Sequence, residues 1–176
     1  MRRALGPVLG AALLLGACRG SGSTEGAAVS TTSTARPAGP ALPPKGLTGP
    51  NCSVAPASLV GEKLGLSVTQ AAIAHNENGT VCEYDKPDRS PAATIQLNPD
   101  ATAESFAAGK AGFSSHGEQV TDVTGLGDEA YAATLAIGPL VNHTLVVRRG
   151  GVEVLITSNA APEALRALMV SVLGAL

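Results

Sequence analysis

The chain has 176 residues, of which 44% are hydrophobic and 15% are charged, with a formal net charge of −2. From Asn51 onward there are 7 basic and 13 acidic residues, and this acidity without a basic stripe argues against nucleic-acid binding, which requires phosphate neutralisation. There is no Trp and there are only two Tyr and two Phe, so the aromatic platforms on which bases or sugars stack are missing as well.

The N-terminal segment predicts export. Arg2 and Arg3 precede an apolar run from Ala4 to Ala17. This run is shorter than the roughly 20 residues that span a bilayer as a helix, and it has the length and small-residue ending of a secretory signal. The residues that close it, Leu15-Gly16-Ala17-Cys18, resemble the lipobox of bacterial lipoproteins, in which the signal is removed and the new N-terminal cysteine carries a diacylglycerol on its sulfur.

The lipobox resemblance implies that residues 1–17 are a lipoprotein signal peptide and that Cys18 is the lipidation site. The protein is then expected to be exported and anchored through that lipid to the outer face of the cell membrane. The alternative is a plain secreted protein in which the cysteine stands by chance.

The segment after Cys18 predicts a tether. Residues 19–50 are almost entirely Gly, Ser, Thr, Ala and Pro, a composition that buries too little apolar surface to order the chain. A glycosylated Ser/Thr stalk is an alternative interpretation. We therefore expect a lipidated cysteine and flexible linker over residues 18–50 and one domain over residues 51–176.

The two remaining cysteines predict a disulfide. With Cys18 assigned to the lipid, Cys52 and Cys82 form an even pair in an oxidising compartment. A metal site or reactive thiol pair is less consistent with the sequence, because the short spacing and histidine partners of such sites are missing.

Turn residues and alternating apolar residues divide the first half of the domain into a helix and three strands. We predict a short helix over Ser53–Leu64, ended by a glycine, and strands over Val68–Ala74, Thr80–Asp85 and Ala93–Leu97. On the second strand, Cys82 and Tyr84 share one face.

The second half begins and ends with a helix. Asn98-Pro99-Asp100 opens a helix that continues to Phe113 and depends on the packing of Phe106 and Phe113, because its other residues are mostly Ala and Gly. Short strands follow at Val120–Val123, Ala130–Ile137, Val141–Arg149 and Val152–Ile156, the last two joined by the Gly150-Gly151 turn. In the last helix, from Pro162, apolar residues recur at i, i+3, i+4, i+7 and i+8 from Leu165 onward.

The element order is α-βββ-α-ββββ-α. It predicts an α+β fold with an antiparallel sheet of about six to seven strands, helices packed on one face of the sheet, and one disulfide.

The lipobox, the Cys52 and Cys82 pair with its Cys-x-Tyr strand, and the later run Gly125-Leu-Gly-Asp-Glu-Ala-Tyr131 together resemble actinobacterial cell-envelope lipoproteins of a family of unknown function. The resemblance covers the lipobox and residues 52–176, and it implies a location, a disulfide and a fold, with no activity to carry over. Because an aromatic residue, often Trp, is usual where Tyr84 stands, it also implies less complete burial at that position.

Residues Gly125, Gly127, Asp128, Glu129 and Tyr131 form the candidate turn or site motif. Two adjacent acids could hold a metal or do acid-base chemistry. However, neighbouring residues on a strand point to opposite faces, so the acids would not converge without a bulge. A tight glycine turn in which Asp128 caps backbone amides is the structural interpretation.

No catalytic, metal-binding or cofactor motif is evident elsewhere. The histidines His75, His116 and His143 lack a metal-ligand spacing, and Ser114-Ser115 lie outside any Gly-x-Ser-x-Gly pattern. Arg148-Arg149 are most simply the solvated end of a hairpin.

We therefore expect a non-enzymatic binding module for a protein, an envelope component or a small ligand. The alternatives are an envelope hydrolase with an unrecognised site and an inhibitor of a secreted enzyme. A concave pocket with converging polar groups would favour an enzyme, and a flat or apolar patch would favour a binding protein.

Overall fold

The computed structural model describes residues 49–176. The predicted signal peptide, Cys18 and nearly all of the predicted linker lie outside the described residues.

Three helices and one seven-stranded sheet make up the domain. A single 3-10 turn at Cys52–Val54 precedes the first helix. The helices are α1 (Ala57–Leu64), α2 (Ala103–Ser115) and α3 (Pro162–Gly174). The strands are β1 (Thr69–Asn76), β2 (Gly79–Asp85), β3 (Pro91–Pro99), β4 (Gln119–Asp122), β5 (Glu129–Ile137), β6 (Leu140–Arg149) and β7 (Val152–Ser158).

The sheet is antiparallel throughout, with the strand order β1-β2-β3-β7-β6-β5-β4. Strand β7 thus lies between β3 and β6, and it joins strands β1–β3 to strands β4–β6 in one sheet. The predicted element order, the seven strands and the antiparallel pairing are confirmed.

The start of α2 differs from the prediction. Pro99 ends β3 opposite Val152, and Asp100 adopts a positive φ of 60°, so neither opens the helix. Thr102 and Ser105 form a reciprocal capping box instead, in which Thr102 Oγ1 accepts from the Ser105 amide at 3.1 Å. The capping box satisfies two backbone donors that the first turn of a helix leaves free.

The main core lies between one face of the sheet and the helices α1 and α3. It is formed by alternate residues of the central strands and by the apolar face of α3, in which Leu165, Leu168, Met169, Val172 and Leu173 are buried. This confirms the face predicted from the spacing of the apolar residues in α3.

The predicted disulfide is present and forms part of this core. Cys52 and Cys82 are bonded, with their Cα atoms 5.7 Å apart, and both are buried. Tyr84 lies on the same face of β2, and its hydroxyl donates to the carbonyl oxygen of Ala55. The expectation of less complete burial at Tyr84 is wrong, because only 1% of its surface is exposed.

The second helix packs on the other face of the sheet. Phe106 and Phe113 of α2 contact Tyr131 edge to face, with ring centroids 5.0 and 5.8 Å apart, and Val146 completes this smaller cluster. Tyr131 and Val146 are directly paired across β5 and β6. Their neighbours Ala130 and Val147 belong to the main core, so Tyr131 and Val146 point to the opposite face of the sheet. The expectation that all helices share one face therefore holds for α1 and α3 and is wrong for α2.

The β5–β6 hairpin projects beyond its neighbours. Its ladder continues to the pair Ile137–Leu140, whereas β4 last pairs at Thr134 and β7 last pairs at His143. Residues 135–142 thus form an arm that carries no charged residue, and Ile137 and Leu140 at its tip are 61% and 63% exposed.

Candidate functional site

The glycine-rich motif is built into the end of the sheet. Gly125 and Gly127 both adopt positive φ values, 74° and 55°. At Gly127 the backbone also passes so close to β6 that a Cβ would lie 2.4 Å from the carbonyl oxygen of Arg148. Only glycine fits that position, on both conformational and steric grounds.

The two acids of the motif converge on one arginine. Arg148 Nε donates to Glu129 Oε2 at 2.8 Å, and Arg148 Nη1 lies 3.5 Å from Asp128 Oδ2. Asp128 Oδ2 also accepts from the amide of Gly150 at 2.7 Å. The expectation that the acids do not converge is wrong, because Asp128 precedes β5 and the alternation of strand side chains does not apply to it.

These contacts occupy the polar groups of the motif. The Arg148 side chain is only 17% exposed, so it is more than the solvated hairpin end predicted from sequence. Tyr131, at the end of the motif, is buried in the aromatic cluster with α2. The structure thus supports the prediction of a tight turn capped by Asp128, and adds a partly buried arginine to it.

A groove lies at the opposite end of α3. It forms where the first turns of that helix meet strands β4, β5 and β6 on the main core face, and it encloses about 320 Å³. Small-molecule sites commonly enclose about 300–1,000 Å³, so this groove is at the small end of that range. The apolar part of its lining consists of Val123, Ala132, Ala133, Leu145, Pro162 and Leu165.

The polar groups of the groove come from four elements, with Thr121 on β4 and Thr144 on β6 among them. His143 of β6 and Thr134 of β5 are directly paired across the sheet, with His143 Nδ1 3.3 Å from Thr134 Oγ1. Glu163 and Arg166 line the groove from α3, and Arg166 Nη2 is fixed by the carbonyl oxygen of Thr124 at 3.0 Å. The lining thus carries one acid, one arginine and one histidine around an apolar floor.

The hydroxyl–imidazole contact has a counterpart outside the groove. His75 Nδ1 lies 3.1 Å from Thr80 Oγ1 on the β1–β2 hairpin, again between directly paired residues. The same contact thus occurs on a hairpin outside the groove, so the pairing of His143 with Thr134 does not by itself mark a catalytic site. A catalytic pair would also need a third group that orients the base, and no such hydrogen bond to His143 is formed within residues 49–176.

Metal chemistry has no support among the described residues. No set of three His, Cys, Asp or Glu side chains within residues 49–176 is placed to hold a metal ion. In the same range, no helix is long and apolar enough to cross a bilayer.

Sequence reasoning identified His143 only as an isolated histidine and did not identify Glu163 or Arg166 as site residues. One signal was present: the β5 and β6 segments are longer than their neighbours, which leaves part of their face beyond the start of α3. Locating the groove also requires the packing of α3, which no local pattern specifies.

Neither the comparison with protein-family models nor the search of curated proteins found a match for this chain.

Proposed function

We propose that this protein is an exported, lipid-anchored, non-enzymatic binding module of the cell envelope. The lipobox at residues 15–18 supports the anchor, and the resemblance to actinobacterial envelope lipoproteins supports the location. The observation that carries the binding role is the groove between α3 and strands β4–β6, which joins an apolar floor to a few polar side chains.

The chemistry of the lining favours one class of ligand. Glu163, Arg166 and His143 together carry charges of both signs, and the domain as a whole is acidic, with a net charge of −6 from Asn51 onward. An anionic ligand would be repelled at long range. We therefore propose a small, mainly apolar molecule whose polar end is neutral or zwitterionic.

Two observations favour binding over hydrolysis. The acids of the glycine-rich motif are held by Arg148 and Gly150, and His143 pairs with Thr134 in the same way as His75 pairs with Thr80. A hydrolase would need a nucleophile and an oriented base in the groove.

A second candidate function is inhibition of a secreted enzyme, favoured by the projecting arm at residues 135–142. Exposed apolar side chains on a short, projecting hairpin suit insertion into the cleft of another protein. The residues Ile137 and Leu140 would make that contact.

The anchor is tested by Cys18→Ser. This substitution removes the only acyl acceptor that the lipobox offers, so we expect an unprocessed precursor or a released protein, and no lipidated mature form. Recovery of the variant in the membrane fraction at the mature size of the parent would refute the lipobox assignment. The ligand is sought by purifying the protein from the envelope of the cell that makes it and identifying bound molecules by mass spectrometry. If a large protein co-purifies and no small molecule does, the result would favour the inhibitor role.

A further inference from the structure

The edge strand β1 is an unusually open surface. All eight of its residues, Thr69–Asn76, are exposed, and within residues 49–176 it is hydrogen-bonded to β2 alone. None of the eight carries a formal charge at pH 7 with His neutral, and none is proline. Edge strands usually carry lysines, prolines or inward charges that block pairing with another chain.

The opposite edge of the sheet lacks this property. The edge strand β4 is four residues long and contains Asp122, which pairs with Lys110 of α2. A short, charged edge beside a helix resists strand addition. The sheet is therefore open to pairing at β1 and protected at β4.

A bulge in β1 fixes which residues can pair. Its register with β2 shifts between Gln70 and Ala72, whereas Ala72 to Asn76 pair regularly with β2. The middle of this regular segment is Ala74. An antiparallel pair of two such segments therefore centres on Ala74, opposite Ala74 of the second copy.

The same register makes the segment compatible with itself. Ile73 comes to lie opposite His75 of the second copy, and Ala72 opposite Asn76. Residues directly opposite each other share a sheet face, and like charges at such positions are destabilising; here no charges meet. Alanine at the centre lets the backbones approach, and Ile73, which is 53% exposed in the monomer, gains apolar contacts across the seam.

We propose that two copies of the chain associate through their β1 edges, in antiparallel register about Ala74, to form a continuous fourteen-stranded sheet. A second copy fits this edge better than an arbitrary partner strand, because each copy offers a strand of matching length, neutrality and small side chains. The interface is small, and contacts below about 1,200 Å² are typical of weak, transient association. The dimer is therefore concentration-dependent.

The test uses the full-length chain and measures its mass in solution over a range of concentrations, by light scattering or sedimentation. We expect a monomer–dimer equilibrium for the parent and a monomer for Ala74→Lys, in which two ammonium groups would face each other at the axis. The matched control is Ala136→Lys, an exposed alanine on the projecting arm, which changes net charge equally and should dimerise as the parent does.

Cysteine cross-linking tests the register and does not depend on how the lysine variant folds. Under mild oxidation Ala74→Cys should form a reducible dimer. In Ala72→Cys the two cysteines would lie four residues apart along the paired strands, so its yield of cross-linked dimer should equal that of the parent chain. A parent that stays monomeric at all concentrations, a dimer unaffected by Ala74→Lys, or equal cross-linking by both cysteine variants would overturn the proposal. Retention of a different protein by β1 instead of a second copy would overturn it as well.

Discussion

The carboxylate of Asp128 accepts a hydrogen bond from the amide of Gly150 at 2.7 Å. This contact joins the start of β5 to the turn between β6 and β7, 22 residues along the chain. The Asp128 amide in turn donates to the carbonyl oxygen of Arg148 at 2.8 Å. The glycine-rich motif therefore ties one end of the sheet together, which explains its composition without a catalytic role.

The first prediction concerns Gly127. A methyl group there would meet the Arg148 carbonyl oxygen at 2.4 Å and Val147 Cγ1 at 2.6 Å, with φ at 55°. Left-handed strain and overpacking together predict that Gly127→Ala lowers the free energy of unfolding by about 2–4 kcal/mol. Gly125→Ala is the matched control, because its Cβ would meet only the tip of Arg166 at 3.5 Å; it should cost about 1 kcal/mol. Equal melting temperatures for the two variants would contradict the close-approach explanation.

The second prediction separates the two acids. Asp128→Ala leaves the Gly150 amide without its acceptor and should cost about 1–2 kcal/mol in unfolding free energy. Asp128→Asn retains a carbonyl acceptor and should cost less. Glu129→Gln retains an acceptor for Arg148 Nε and loses only a partly exposed ion pair, worth about 1 kcal/mol or less. Thermal melts of the three variants give their order of stability. If Glu129→Gln were the least stable of the three, the hydrogen bond from Gly150 to Asp128 would not be the main stabilising contact of the motif.

The third prediction concerns alkaline pH. Burial raises the pKa of Tyr84 to about 12, and burial, with the charges of Glu153 and Glu118 contributing, also raises the pKa of Tyr131. An unfolded tyrosine has a pKa of about 10, so above that pH the folded state holds protons that the unfolded state has lost. The contribution of the two tyrosines to the free energy of unfolding is therefore fully present below about pH 10. It falls as the pH rises toward 12, by about 1.4 kcal/mol per pH unit for each tyrosine.

Urea unfolding midpoints measured across this pH range check the alkaline effect. Tyrosinate absorbance should appear together with the loss of far-ultraviolet circular dichroism, because both rings ionise on unfolding. Tyrosinate that appears near pH 10 in protein with intact circular dichroism would contradict the raised pKa values of the two buried tyrosines.

The fourth prediction concerns the bond between Cys52 and Cys82, which are separated by 30 residues. The chain-entropy model gives about 3–4 kcal/mol for a loop of this length. Reduction should therefore lower the melting temperature by several degrees. Alkylation of the unreduced, native domain should label neither cysteine, and labelling of either in freshly purified protein would contradict the bond.

Much of the fold could be predicted because its determinants are local. The Gly150-Gly151 turn, the alternation along β6 and the repeat of apolar residues in α3 each specify an element without reference to the rest of the chain. The disulfide followed from assigning Cys18 to the lipid, which left a single pair.

The parts that could not be predicted depend on tertiary contacts. The Ala-rich helix α2 has no continuous apolar stripe, so its position was decided by Phe106 and Phe113 meeting Tyr131 on the second face of the sheet. The reach of Arg148 to both Asp128 and Glu129 depends on where β5 begins. The groove arises because α3 covers only part of the long β5–β6 hairpin, a relation between elements that no single stretch of sequence encodes.

The central claim, that the groove between α3 and strands β4–β6 holds a ligand, is tested by blocking it. Thr121 lines the groove from the exposed edge of β4, so Thr121→Trp should fill the space with little effect on folding. Thr94→Trp is the matched control, since Thr94 lies on β3 among residues that face away from the main core. Equal melting temperatures of the two variants in the absence of ligand would confirm that both are folded.

The decisive measurement is native mass spectrometry of the parent and both variants, each purified from the envelope of the producing cell. We predict that the parent and Thr94→Trp carry the same small, mainly apolar molecule and that Thr121→Trp carries none. A parent without any bound molecule, or a molecule retained equally by Thr121→Trp, would contradict the claim.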